Sequence, residues 1–119
     1  MLLYYIPKIL EVDELWIDRL LEAELNIKDD DGKCYLHFLL ISEELEDFNF
    51  ECPRFVKLFQ MQMNCIDKDG LTTLMHLCYY NPWLLFKELK FVHQLEPQFG
   101  MQDNHGTTAL MKLLISNRL

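Results

Sequence analysis

Four histidines (His37, His76, His93, His105) and four cysteines (Cys34, Cys52, Cys65, Cys78) are the residues of this 119-residue chain best equipped for catalysis or metal binding. No histidine pair has the H-x-x-x-H or H-E-x-x-H spacing of a helix-borne metal site. Cys34 and His37 have ligand-like spacing, with Cys78 as an imaginable neighbour, but tetrahedral zinc needs four convergent donors. His76 and His93 fall on separate predicted helices. No motif supports a Cys–His nucleophilic pair. The cysteine spacings of 18, 13 and 13 contain no CxxC, so the thiols read as reduced and mostly buried rather than as a disulfide framework. Asp29-Asp30-Asp31 and Asp67-Lys68-Asp69-Gly70 raise calcium, yet Leu36 and Leu74 follow where a distal acidic ligand would be needed. Only four glycines occur and three sit in predicted turns, so no phosphate-cradling loop is present. The expectation is a chain without cofactor or metal, and not an enzyme.

The charge narrows the partners. Net charge is −8, and residues 1–60 carry 14 acids against 6 bases while residues 61–119 carry 5 of each. No cluster of Lys and Arg exists to displace counterions from phosphates, which argues against nucleic acid. An anionic membrane surface would repel the acidic half. The apolar start Met1–Leu10 lacks a basic lead-in and contains Pro7, so it reads neither as a signal peptide nor, by length, as a transmembrane helix. A cytoplasmic protein is expected, or one acting in a host cytoplasm if it is a pathogen factor.

An internal repeat organises the rest. Asp29-Asp30-Asp31-Gly32, Asp67-Lys68-Asp69-Gly70 and Asp103-Asn104-His105-Gly106 each lead to a Leu four residues after the Gly, then to an apolar run. The Gly-to-Gly distances are 38 and 36. Asp-x-x-Gly is turn chemistry: the carboxylate bonds the following backbone and Gly accepts positive φ. Thr72 and Thr108 then stand where a helix N-cap is wanted, and Cys34 holds that place as a poorer cap. The runs Leu36–Ile41, Leu74–Tyr80 and Leu110–Ile115 are too continuous for a surface helix and predict short helices covered on both sides.

Amphipathic segments lie between them. One starts near Asp13, read as its cap, with Val12, Trp16 and Leu20, and Ile17 and Leu21, at helical spacing. Pro53 opens a second, with Phe55, Val56, Phe59 and Met63. Asn81-Pro82 opens a third, with Leu85, Leu89 and Val92. No alternating strand is found. The acidic stretch Glu43–Glu51 reads as a solvated loop. Met61, Met63, Met75, Met101 and Met111 read as core, a Met-rich groove for a helical ligand being the alternative.

These units resemble the ankyrin repeat, a family of about 33-residue units with a T-P-L-H signature. The first unit has Cys34-Tyr35-Leu36-His37; the second keeps Thr72 and Leu74, with Met75 at the His place; the third keeps Thr108 and Leu110, with Met111 there. Asn26-Ile27-Lys28 and Asn64-Cys65-Ile66 resemble the family's linker. The resemblance covers about residues 26–119. It implies an all-α, ankyrin-like helical solenoid: capping helices over 1–25, repeat 1 over 26–63, repeat 2 over 64–100 and a partial repeat 3 over 101–119, forming one domain or part of a longer array. The repeats depart from the family in length, in Leu39-Leu40, Leu77-Cys78 and Leu113-Leu114 replacing small residues, and in Glu43, Asn81 or Asn117 replacing the Gly that ends the inner helix.

The resemblance further implies a protein–protein interaction module. His37 takes a structural hydrogen-bonding role at the hairpin base. Partner contacts fall on the hairpin tips (Asp30, Asp31, Lys33; Lys68, Asp69, Leu71; Asn104, His105) and on the inner-helix ends, above all Tyr79 and Tyr80. Packing of the two tyrosines beside Trp83 is the other reading. The acidic first tip suits a basic partner segment. The alternative function is a structural or regulatory repeat segment of a longer multidomain protein, such as a viral or bacterial host-directed factor. Oligomeric state is not written in the sequence.

Overall fold

Gly32, Gly70 and Gly106 adopt one backbone conformation, with φ of +75°, +82° and +77°. The computed structural model describes residues 8–43 and 45–116. In each turn the Asp carboxylate Oδ1 accepts two amides, two and four residues ahead. Asp29 takes Asp31 and Lys33 at 3.0 and 2.8 Å. Asp67 takes Asp69 and Leu71 at 3.0 and 2.9 Å, and Asp103 takes His105 and Thr107 at 2.9 and 2.8 Å. The same backbone pairs close every turn, the Gly N–H donating to the Asp carbonyl at 2.9–3.0 Å. At Gly70 there is also no room for a side chain, since a Cβ would sit 2.7 Å from Asn104 Oδ1 in the next turn.

A short inner helix follows each turn: α2 (Tyr35–Leu40), α4 (Thr73–Tyr80) and α7 (Ala109–Ile115). Thr72 and Thr108 cap theirs, accepting from the amides of Met75 and Met111 at 3.2 and 3.3 Å. Cys34 makes no capping bond, as its chemistry dictates. α4 packs against both α2 and α7, and is buried from Thr73 to Cys78.

The outer segments are α1 (Leu15–Glu24), α3 (Pro53–Gln62), and α5 (Pro82–Lys87) with α6 (Leu89–Gln94) and the 3-10 turn Glu96–Gln98. α1 buries Ile17, whereas Val12, Trp16 and Leu20 face outward; Glu14, not Asp13, precedes its first residue, and no side chain caps it. α1 is held by Arg54, whose guanidinium pairs with both Asp18 oxygens at 2.8 and 3.1 Å and reaches the carbonyls of Leu10, Val12 and Glu14. The single helix expected from Asn81-Pro82 is broken at Glu88 (φ −116°, ψ 77°). The stripe that packs inward is Leu84, Phe91 and Leu95; of the three expected positions Leu85 is also buried and Val92 is half-buried against the core, while Leu89 is exposed. Glu88 falls on that inward stripe at i+4 from Leu84, and a continuous helix would press its carboxylate into the core.

Three further expectations are corrected. Glu43–Glu51 is not simply solvated: its acids Glu43, Glu46, Asp47 and Glu51 face water, while Leu45, Phe48 and Phe50 are buried. Phe48, Phe50, Phe55, Phe59 and Phe91 form one aromatic cluster with ring centroids 4.9–5.8 Å apart. Asn81 is not left-handed (φ −139°). It clamps the end of α2 instead, its Nδ2 donating to the carbonyls of Leu40 and Ser42 at 2.6 and 2.9 Å. The Leu40 carbonyl is one of the last four of its helix, which have no intrahelical donor. Asn117 lies outside the described residues. Met75 is buried and Met63 half-buried, but Met61, Met101 and Met111 are exposed, so those three are not core. The described chain is thus mostly helical, with no strand beyond an isolated bridge between Gln102 and Thr108.

Candidate functional site

The three turns are bonded edge to edge. Lys68 N–H donates to Asp31 O at 2.8 Å, and one unit later Asn104 N–H donates to Asp69 O at 2.9 Å. Asn104 Nδ2 adds a bond to Lys68 O at 2.8 Å. The sequence-predicted tip residues therefore form one row. Asp30, Asp31, Lys68, Asp69, Asn104 and His105 are exposed along it, while Lys33 and Leu71 are half-buried at its base. The charge runs from acidic (Asp30, Asp31) through mixed (Lys68, Asp69) to near neutral (Asn104, His105), with Lys33 4.0 Å from Asp31.

Behind the row, units 2 and 3 share a tie that sequence reading missed. The turn aspartate uses its second oxygen to hold a residue nine positions on: His76 Nε2 lies 3.1 Å from Asp67 Oδ2, and Lys112 Nζ 2.9 Å from Asp103 Oδ2. The bonds from Thr107 N–H, with help from Lys112, hold the Asp103 carboxyl down at about 2. In unit 1 the ninth residue is Phe38, which cannot pair. The i, i+9 spacing was visible and was the signal for this tie.

Gln62 and Gln98 were also missed. Gln62 Oε1 accepts from Leu36 N–H at 2.9 Å while its Nε2 donates to Leu25 O. Gln98 repeats the arrangement with Leu74 N–H at 3.0 Å and Met63 O. Both glutamines are buried and lie 36 residues apart. They fasten each outer segment to the start of its inner helix and so fix where the turns project. The signal was the shared pattern Phe55-x-x-x-Phe59-x-x-Gln62 and Phe91-x-x-x-Leu95-x-x-Gln98.

Tyr79 and Tyr80 end α4. Their rings meet edge to face at 4.9 Å, and Tyr80 stacks over His76 at 6.2 Å. Tyr79 is 38% exposed and Tyr80 half-buried, so Tyr79 is the more open of the two to a partner. Trp83 bonds Asn81 Oδ1 through Nε1 at 3.2 Å and carries Lys87 Nζ over its ring. A second exposed surface is an apolar groove of about 600 Å³ between α4, α5–α6 and α7, with Leu85, Phe86, Leu89, Phe99, Leu110 and Leu113 on its walls.

The histidines and cysteines do not form the set that sequence spacing raised. Cys65, not Cys78, comes to Cys34 and His37, and Cys78 lies on the apolar groove instead. His37 Nε2 lies 3.3 Å from Thr73 Oγ1, bridging unit 1 to unit 2. Burial, then the neighbouring His76, pushes the His37 imidazole down to about 4; burial also lowers His76 against the pull of Asp67. Both rings are therefore neutral at neutral pH. His93 and His105 are exposed.

No protein-family model, curated protein or solved structure matches this chain. Among the described residues no helix is long and apolar enough to cross a membrane.

Proposed function

We propose that the chain is a degenerate ankyrin-type repeat domain that binds another protein along its row of turn tips. The observation that carries this reading is the register of the row: successive tips are joined by the same backbone bond, Asp31 to Lys68 and Asp69 to Asn104. Rigid, exposed polar tips at regular spacing are ordered before any partner arrives, so binding need not freeze loops. The acidic first tip suits a partner segment rich in Lys and Arg, the charges acting mainly on encounter rate. Tyr79 adds an aromatic anchor of the kind that dominates interface energetics. The domain has no catalytic role in this reading and works in an intracellular aqueous compartment.

A second reading has its own observation. The apolar groove beside α7, with Leu110, Leu114 and Ile115 exposed, suits a neighbouring helical unit and thus a segment of a larger repeat protein.

The test is affinity capture with the full chain against an Asp31→Lys, Asp69→Lys, Asn104→Ala variant and a Val56→Ala control on the outer surface. A partner retained by wild type and control but lost by a folded tip variant supports the reading. Equal retention by the tip variant removes the row from the site.

A further inference from the structure

The apolar groove beside α7 has a filled counterpart in each of the other two units. The residue four after the turn glycine is Leu36 in unit 1, Leu74 in unit 2 and Leu110 in unit 3. Leu36 and Leu74 are 0% and 5% exposed, whereas Leu110 is 64% exposed. In unit 1, α3 packs on α2 and buries Phe55 and Phe59. In unit 2, α5 packs on α4, and Phe91 and Leu95 just beyond it are buried. α7 packs on α4, but Leu110, Leu114 and Ile115 stay exposed.

Each covering segment is also registered by a glutamine. Gln62 accepts the Leu36 N–H and donates to the carbonyl of Leu25, seven residues before Gly32. Gln98 does the same for the Leu74 N–H and the carbonyl of Met63, seven residues before Gly70. The third pair at these places is the Leu110 N–H and the carbonyl of Phe99, seven residues before Gly106. The Thr108 hydroxyl serves the Met111 N–H and not that of Leu110. Among the described residues neither the Leu110 N–H nor the Phe99 carbonyl has a protein partner. Both residues line the groove.

We propose that this groove docks an amphipathic helix of a partner protein with the pattern Phe-x-x-x-Phe-x-x-Gln, or Leu at its second apolar place. Its two large side chains fill the groove, and its glutamine bridges the Leu110 N–H and the Phe99 carbonyl. The inference rests on the second reading above, in which the groove seats a helical unit, and specifies which unit that is. The groove continues the interface that already joins α4 to α5–α6, since Leu74, Cys78, Leu85 and Val92 form one wall of it. Apolar burial drives the association and the bridge sets its register. One side chain must accept at one atom and donate at the other. Glutamine does both, whereas an ionised glutamate has no donor for the Phe99 carbonyl. The two segments of this pattern that end at Gln62 and Gln98 are already seated, so the occupant is neither of them in the same copy.

The test titrates the reduced, isotope-labelled full chain with an amidated peptide of residues 53–63, a copy of the unit 1 outer segment. Saturable amide shifts are expected at Phe99, Leu110 and Leu113, with the Leu110 N–H moved downfield and its exchange with water slowed. The same peptide with Gln62→Glu is expected to bind about tenfold more weakly, as loss of the bridge implies. Leu110→Glu in the chain, at a position exposed without the peptide, abolishes the shifts, and Val56→Ala leaves them unchanged. Groove shifts with equal affinity for the Gln62→Glu peptide overturn the glutamine bridge while leaving the groove as a helix seat. No groove shift with either peptide at millimolar concentration overturns both. Shifts at the same residues that grow with the chain's own concentration, without peptide, assign the groove to a second copy and overturn the partner helix.

Discussion

The backbone N–H of Lys68 donates to the carbonyl of Asp31 at 2.8 Å, so the second turn is bonded onto the first by main chain alone. The side chains of both residues are exposed and take no part in that bond, so their identities can vary without loosening the row. What the row demands is room between turns, and glycine supplies it.

Replacing Gly70 with Ala is expected to cost more than the same change at Gly106. Both residues have positive φ, which costs an alanine about 1–2 kcal/mol. At Gly70 the new methyl also meets Asn104 Oδ1 at 2.7 Å and Asn104 N at 3.0 Å, whereas at Gly106 the nearest atom is 4.0 Å away. Urea unfolding of the two variants measures the difference. Equal midpoints would remove the close approach from the account.

Cys34→Thr is expected to stabilise the chain by about 1 kcal/mol, the worth of an N-cap, since Thr72 and Thr108 already perform that role in the other units. Thr72→Ala should cost a similar amount. Thermal unfolding reads both.

Gln62→Ala strands the Leu36 N–H and the Leu25 carbonyl, each a buried group costing about 1–3 kcal/mol when unpaired. The variant is expected to be destabilised and to loosen α2 specifically. Amide exchange at Leu36 against Leu74 separates the two, because Gln98 still serves Leu74.

Stability of the chain is expected to fall as pH drops below about 6.5, the His37 part of the loss running down to about 4. Both buried imidazoles are depressed below their ordinary value, so the unfolded chain takes up protons first and the folded state loses ground. Above pH 6.5 both states hold neutral rings and nothing changes on this account. Each histidine contributes at most about 1.4 kcal/mol per pH unit within its window. Asp67 moderates the effect at His76, while Lys33 and Lys112 add to it. Unfolding midpoints for wild type and His37→Gln across this range test it: the variant's curve should be flatter.

The turns were legible because their chemistry is local. Asp-x-x-Gly specifies its own hydrogen bonds within four residues, and the structure repeats them at all three places. Helix starts at Pro53 and at the two capping threonines were legible for the same reason. Longer-range features were not. Phe48 and Phe50 sit in an acidic stretch, and only the three-dimensional neighbourhood of Phe55 and Phe91 reveals that they turn inward. Glu88 breaks a helix because of what its face would meet. Cys65 reaches Cys34 across the join between units, a proximity that spacing along the chain does not encode. Tyr79 and Tyr80 were singled out together, but helix geometry exposes the first and half-buries the second.

The three turns stand in one bonded row. Through-hydrogen-bond scalar coupling in the isotope-labelled chain tests it most directly. Cross-peaks are expected from Lys68 N to the Asp31 carbonyl carbon and from Asn104 N to that of Asp69. Fast-exchanging Lys68 and Asn104 amides without those couplings, in a chain that is otherwise folded, would contradict it.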